Sequence, residues 1–283
     1  MSGKRPAFSP GSAGGVSRAD HCETCDTAVR DIAHVLRTLA STTLGAAVDS
    51  ATLRLWDPYY CQGTVKVHYA KHGFPLCHNR REDFYAVMQR PRADLPKHDV
   101  VVTNPPFSGD HIQRALRFCV ENGHVPWCML LPSSVLARPW WEEMSESLQR
   151  GGLAAPVVFV AATTTRYAFD KRRPSGGGGG AKKAGGPQRE RGAAAVGTPS
   201  AAQPPLETIW FVGGLSLSAD RALHARFASS LVDDAECVLA ASVAELPARI
   251  QSAVVAARRD PDTVANQSGK ESGGDPGAKR RRM

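Results

Sequence analysis

The chain predicts an α/β fold, a mostly parallel sheet flanked by helices, from three observations. Short β-branched or alternating apolar runs recur along it. Segments with apolar residues at helical spacing separate them. Two of the runs stop abruptly in loops built from Asp, Asn, Pro and Gly.

The elements follow in order. Residues 26–40 set Ala28, Ile32, Val35, Leu36 and Leu39 on one helical face, behind Asp26-Thr27 as a cap. Residues 52–56, Thr-Leu-Arg-Leu-Trp, alternate as a strand and run into Asp57-Pro58. A helix over 64–72 stops at Gly73, and Phe74 to His78 reads as a short strand. Asp99 precedes Val100-Val101-Val102, a β-branched run of the kind buried on both faces of a parallel sheet. His111 to Asn122 places Ile112, Ala115, Leu116 and Cys119 on one helical face, closed by Gly123. Trp127 to Leu131 is a strand ended by Pro132, and 139–150 a helix closed by Gly151-Gly152. Val157–Ala161 and Thr208–Val212 read as strands, Arg166 to Phe169 as a continuation of β structure, and 219–231 and 241–258 as helices.

Composition divides the chain. Residues 1–20 are Ser/Gly/Pro-rich and read as disordered, as does a polar, basic tail over 261–283. One domain is expected over 21–260. A flexible Gly-rich insertion at 174–204 interrupts it, too poor in apolar residues to order itself. The hydrophobic fraction, 42%, is enough for a buried core. A net charge of +8 favours a polyanionic partner, usually nucleic acid, over a merely solvated basic surface. Seven scattered cysteines, an odd number and mostly within apolar runs, fit a reduced intracellular compartment better than a disulfide framework. No apolar run approaches the roughly 18 residues of a membrane span, and no signal-peptide pattern opens the chain. The cluster Lys279-Arg280-Arg281-Arg282 reads as a nuclear-import signal or a nucleic-acid contact.

In open α/β sheets ligands sit beyond the carboxyl ends of the strands, near the point where strand order reverses. The two strand ends with unusual residues are Asp57-Pro58-Tyr59-Tyr60-Cys61-Gln62-Gly63 and Thr103-Asn104-Pro105-Pro106-Phe107. A hydrophobic strand followed by Asn104-Pro105-Pro106-Phe107 resembles the acceptor loop of class I S-adenosylmethionine-dependent amino-methyltransferases. That family methylates adenine N6 in DNA or RNA and, in one branch, the side-chain amide of protein glutamine.

The residue types suit that chemistry. A conjugated amino group is a weak nucleophile, so acceptors must take hydrogen bonds from its N–H groups and turn its lone pair toward the methyl donor. The Asn104 side-chain oxygen is one such acceptor, and the resemblance implies the Pro105 carbonyl as the other. Pro105 and Pro106 fix φ and remove donors, leaving a stiff, acceptor-rich loop. Phe107 offers a face for stacking a flat base. The donor is already activated, so no metal is required.

The resemblance extends over roughly 26–170 and 205–215. It implies a Rossmann-like class I methyltransferase fold with Val157–Ala161 and Thr208–Val212 as an antiparallel pair at the sheet edge. The Asp57–Gly63 loop resembles the family's Asp-Pro-x-x-x-x-Gly cofactor loop. It implies S-adenosylmethionine as cofactor, with Asp57 anchoring its polar groups, Pro58 and Tyr59 among the residues that bind it, and Gly63 admitting close approach of its methionine part. Asn79, at the end of the second strand, stands where an acid usually holds the ribose. Asp83-Phe84-Tyr85 resembles the segment whose acid binds the donor adenine, with Phe84 packed on the ring; Asp83 reads equally well as a helix cap.

Other features carry less. His21 and Cys22-x-x-Cys25 lack the second ligand pair of a structural zinc site, so no metal is expected. Ser108 or Asp110 starts a helix or shapes the acceptor pocket. Trp140 and Trp141 beside Arg138 stack a nucleic acid strand or pack in the core. Ser133 lacks a nucleophile-elbow pattern. The function expected is N6 methylation of adenine in RNA, since a flexible single strand presents its base without the cost of flipping it from a duplex. A protein glutamine methyltransferase and a non-catalytic RNA-binding or assembly subunit are the alternatives, with any protein partner undefined.

Overall fold

The computed structural model describes residues 23–43, 50–122, 125–150, 157–168, 206–230 and 236–259. The segments expected to be disordered at 1–20 and 261–283, the insertion at 174–204, His21, Cys22 and the Lys279–Arg282 cluster lie outside the described residues.

The first half of the chain alternates strand and helix. Helix α1 (Asp26–Thr43) precedes β1 (Leu55–Trp56), α2 (Val65–Lys71), β2 (Cys77–His78), α3 (Phe84–Met88), β3 (Val100–Thr103), α4 (His111–Glu121) and β4 (Trp127–Pro132). A 3-10 turn at Ser133–Ala137 leads into α5 (Pro139–Arg150). Then come β5 (Val158–Ala162), β6 (Thr208–Gly213), α6 (Leu217–Ser230), β7 (Cys237–Ala240) and α7 (Ala248–Arg259). The seven strands form one mixed sheet in the order β2-β1-β3-β4-β6-β5-β7. Strands β1 to β5 point one way, and β6 and β7 the other.

Period-2 alternation sorts the strand residues between two helical layers. Val100, Val102, Cys128, Leu130, Val160, Trp210 and Val212 join α1 and α6 on one face. Val101, Trp127, Met129, Leu131, Phe159, Ile209 and Phe211 meet α4 and α7 on the other. With both faces covered, β3 has no polar side, which is why its sequence is a continuous Val run. Trp210, fully buried, donates its indole N–H to the Ala28 carbonyl at 2.9 Å and so ties α1 to the sheet. On the other face, His98 Nδ1–H donates to Pro96 O at 2.6 Å. Its Nε2 takes a bond from Asn122 Nδ2 at 3.0 Å and secures the end of α4.

Several elements differ from the sequence expectation. The two late strands β5 and β6 pair antiparallel, but they do not form the sheet edge. β6 sits between β4 and β5, and β7 adds outside β5, with Phe159 opposite Ala240. Strand β7 falls on Cys-Val-Leu-Ala, a run too short to stand out. Residues 241–247, expected to begin a helix, hold only a 3-10 turn before α7. The expected β structure at 166–169 is absent from the described part of that stretch. There Tyr167 is buried and donates to Asp31 Oδ2 at 2.9 Å, so it anchors α1 rather than extending a ladder. Trp141 is a core residue stacked edge-on against Phe211, and Trp140 is half-buried. Among the described residues, no helix is long and apolar enough to cross a membrane.

Gly213 shows how tightly the sheet is packed. It lies opposite Trp127, and a Cβ there would stand 2.3 Å from the indole Cζ2 of that fully buried ring. A Gly213→Ala substitution must push the ring or the strand aside, at a cost of about 1–3 kcal/mol. Urea denaturation should show that loss as a lower midpoint; an unchanged midpoint would mean that the β4–β6 packing is looser than described.

Candidate functional site

The chain reverses its strand order beside β1: β2 lies on one side of it and β3 on the other. The loops leaving the carboxyl ends of β1 and β3 therefore emerge next to one another, at a switch point. Two polar clamps fix this pair of strands. Where they begin, Arg54 holds Asp99 through Nη2–Oδ1 at 2.5 Å and Nε–Oδ2 at 3.0 Å, while the Arg54 backbone N–H donates to Oδ2 at 2.8 Å. At their carboxyl ends, Thr103 Oγ1 donates to Asp57 Oδ1 at 2.5 Å.

Asp57 is the centre of the site. It is 3% exposed, and its Oδ1 also accepts the Tyr59 N–H at 3.2 Å. Burial pushes its carboxyl up to about 7; the Thr103 hydroxyl and the Tyr59 N–H pull it back, and the charge of Glu23 raises it further. Asn79, 1% exposed, follows β2 and donates its Nδ2 to the carbonyls of Asp57 at 3.1 Å and Tyr59 at 3.4 Å. Among the described residues its Oδ1 is buried with no hydrogen-bond partner, a cost that buried polar groups ordinarily avoid.

Beside Asp57 lies a small cleft of about 10 Å³, lined by Trp56, Asp57, Pro58, His78, Arg80, Glu82, Phe84 and Val87. Three residues singled out in the sequence, Asp57, Pro58 and Phe84, line it together. Glu82, which sequence reasoning passed over, lines it as well and faces His78 at 3.7 Å. The neighbouring Asp83 caps α3: its Oδ1 accepts the Tyr85 N–H at 2.9 Å. The sequence signal for Glu82 lay in the polar run Arg80-Arg81-Glu82-Asp83, where either acid was available. Phe84 is also a core ring, edge-on to Trp56, Tyr59 and Phe118.

The rest of the β1 loop is packed against the chain itself. Gly63 adopts φ +80°, which calls for glycine, and a Cβ on it would lie 2.6 Å from the Tyr60 ring that covers it. Glu23 Oε1 accepts the N–H groups of Gln62 at 2.5 Å and Thr64 at 3.4 Å. Glu23, Gln62 and Thr64 also border a larger open cleft of about 320 Å³ shared with Cys25, Asp26 and His68.

On the β3 side, Asn104, Pro105, Pro106 and Phe107 follow the strand without a break. Pro105 is buried, and Asn104, Pro106 and Phe107 are half-buried. The Asn104 Oδ1 atom is buried. Asn104 does not line the small cavity beside Asp57; the two loops adjoin through Thr103. A second link, invisible to local pattern, joins them. The Tyr85 hydroxyl meets Tyr59 Oη at 3.3 Å and is hydrogen-bonded to Nδ1 of His111, a buried residue opening α4. Tyr59, Tyr85 and His111 thus connect the ends of β1, β2 and β3. Among the described residues, no group of three or more His, Cys, Asp or Glu side chains is placed to hold a metal ion.

No protein-family model matches the sequence, and no curated protein matches it either, so the chemistry of the site is read from its own residues.

The position of Asp57 gives a pH test. Folded, its carboxyl holds the proton up to about 7, against an ordinary 3.8. Between those values the folded chain keeps a proton that the unfolded chain releases, so the Asp57 contribution to stability falls as pH rises from about 4 to about 7. An Asp57→Asn variant lacks this dependence. Its denaturation midpoint should decline less across that window than the wild type's; parallel curves would show that Asp57 does not titrate in this way.

Proposed function

We propose that the chain is an S-adenosylmethionine-dependent N-methyltransferase whose acceptor is adenine N6 in RNA. The carrying observation is the joining of the Asp57 loop and the Asn104-Pro105-Pro106-Phe107 loop at the carboxyl ends of adjacent strands through the Thr103–Asp57 hydrogen bond. A strand order that reverses beside β1, with a reversed strand inserted late in the sheet, supports a Rossmann-like class I methyltransferase arrangement.

The side chains fit the donor's polar groups. The Asn79 oxygen is a buried acceptor without a partner among the described residues, suited to a hydroxyl donor. The carboxyls of Asp57 and Glu82, together with the Phe84 ring, line one cavity. Its free volume is about 10 Å³, far below the roughly 300 Å³ at which ligand pockets begin, so a donor seated there would have to part the surrounding side chains. When bound, the donor would supply an electrophilic methyl group. Asn104 Oδ1 and the Pro105 carbonyl would accept the two N–H bonds of the acceptor and turn its lone pair. Phe107 would hold the base flat, and Pro105 and Pro106 would keep the acceptors from rotating away.

A non-catalytic RNA-binding subunit is a second reading, favoured by the Tyr60 ring against Gly63 and the Glu23 carboxylate on the loop N–H groups. Incubation with labelled donor and total RNA, followed by mass spectrometry of the nucleosides, separates the two. N6-methyladenosine should appear, and Asn104→Ala should reduce it by about a hundredfold or more, the scale of losing one pre-organised hydrogen-bonding group at a reaction centre. Label entering protein alone would overturn the RNA acceptor. No transfer to either would leave the non-catalytic reading.

A further inference from the structure

Several of the described arginines are bound to acceptors. Arg54 is spent on Asp99, Arg30 on Asp31, Arg37 on the His72 carbonyl, and Arg166 and Arg249 on Glu207. Arg114 is different. Its guanidinium carbon lies 3.7 Å from the centre of the Tyr85 ring, so it is held in place. Yet among the described residues its guanidinium donates no hydrogen bond. Its nearest carboxylate, exposed Asp110, stands 4.0 Å away, too far for one, and the side chain is 40% exposed.

A cation laid on an aromatic face is attracted by the ring and gives up side-chain freedom in advance. The N–H groups on the guanidinium edge are then pre-aimed and open to an acceptor. The place matters as much as the posture. Arg114 is in the first turn of α4, seven residues beyond Phe107, and its Arg114 N–H donates to Asp110 O in the turn that follows the acceptor loop. Tyr85 beneath it is the same residue that joins Tyr59 to His111. The cation is therefore anchored to the framework that unites the two loops.

We propose that Arg114 is a positioning residue that binds a backbone phosphate of the single-stranded RNA beside the acceptor base, an inference that rests on the RNA reading above. Planar, bidentate recognition of a phosphodiester is what a fixed guanidinium does best, and a phosphate gripped at the rim sets which nucleotide reaches Asn104.

Binding of a fluorescent single-stranded oligoribonucleotide to the full chain, measured by anisotropy over a range of salt, tests this without using methyl transfer. Arg114→Ala should weaken binding roughly three- to tenfold at about 0.1 M salt and flatten the logarithmic salt slope by about 0.7, the value of one contact to a single strand. Arg114→Lys should restore the slope, because the charge returns. Arg258→Ala, which removes an exposed charge from the end of α7, should change the affinity less than Arg114→Ala does. A wild-type slope in Arg114→Ala, or equal losses in Arg114→Ala and Arg258→Ala, would overturn the inference while leaving the methyltransferase reading in place. Failure of the wild-type chain to bind RNA at all would overturn both the inference and the RNA acceptor on which it rests.

Discussion

The geometry depends on one buried hydrogen bond, from the Thr103 hydroxyl to the Asp57 carboxyl. It joins the last residue of β3 to the first residue beyond β1, and it does so inside the protein, where Asp57 is almost fully shielded. The Arg54–Asp99 pair grips the same two strands where they begin. Between these clamps Leu55 pairs with Val100 and Trp56 with Val101. A slip of one residue would turn every side chain of β3 to the wrong face, so the clamps and the two apolar layers enforce the same register. Two loops distant in sequence are brought together as a consequence.

Such an arrangement is costly. A carboxyl is held in the interior with its proton affinity raised to about 7, and the Asn79 oxygen is buried with no partner among the described residues. A fold optimised only for stability would replace these groups with apolar ones. Asp57 and Asn79 lie together at the carboxyl ends of β1 and β2, where a binding site of an open α/β sheet is expected. The Tyr59–Tyr85–His111 link adds a polar tie on the same edge, above a core of edge-on aromatic contacts among Trp56, Phe84 and Phe118. The site thus rests on rigid elements, and its loops inherit their positions from the strands.

What the sequence disclosed followed from how local each feature is. The Val100–Val102 run, the apolar faces of α1 and α4, and the two loops at Asp57 and Asn104 announce themselves, because β-branched runs, helical spacing, proline and glycine each act on their own neighbourhood. Strand β7 was hidden because Cys237–Ala240 is short, and its place outside β5 is set by pairing across about 75 residues of sequence. The position of β6 between β4 and β5 is likewise a matter of topology rather than composition. In the site, Asp57 and Phe84 could be singled out from their motifs, whereas Glu82 competed with an adjacent acid. The ladder from Tyr59 to His111 joins residues 26 apart at each step and leaves no local trace. Gly63 was legible as a glycine with a purpose; that its neighbour is the Tyr60 ring was not.

The most direct test of a donor site at Asp57 is calorimetric titration of the chain with S-adenosylmethionine. Saturable binding with one molecule per chain, abolished in Asp57→Ala while that variant remains folded, is the expected result. Absence of binding to the wild-type chain, or binding that Asp57→Ala leaves intact, would contradict it.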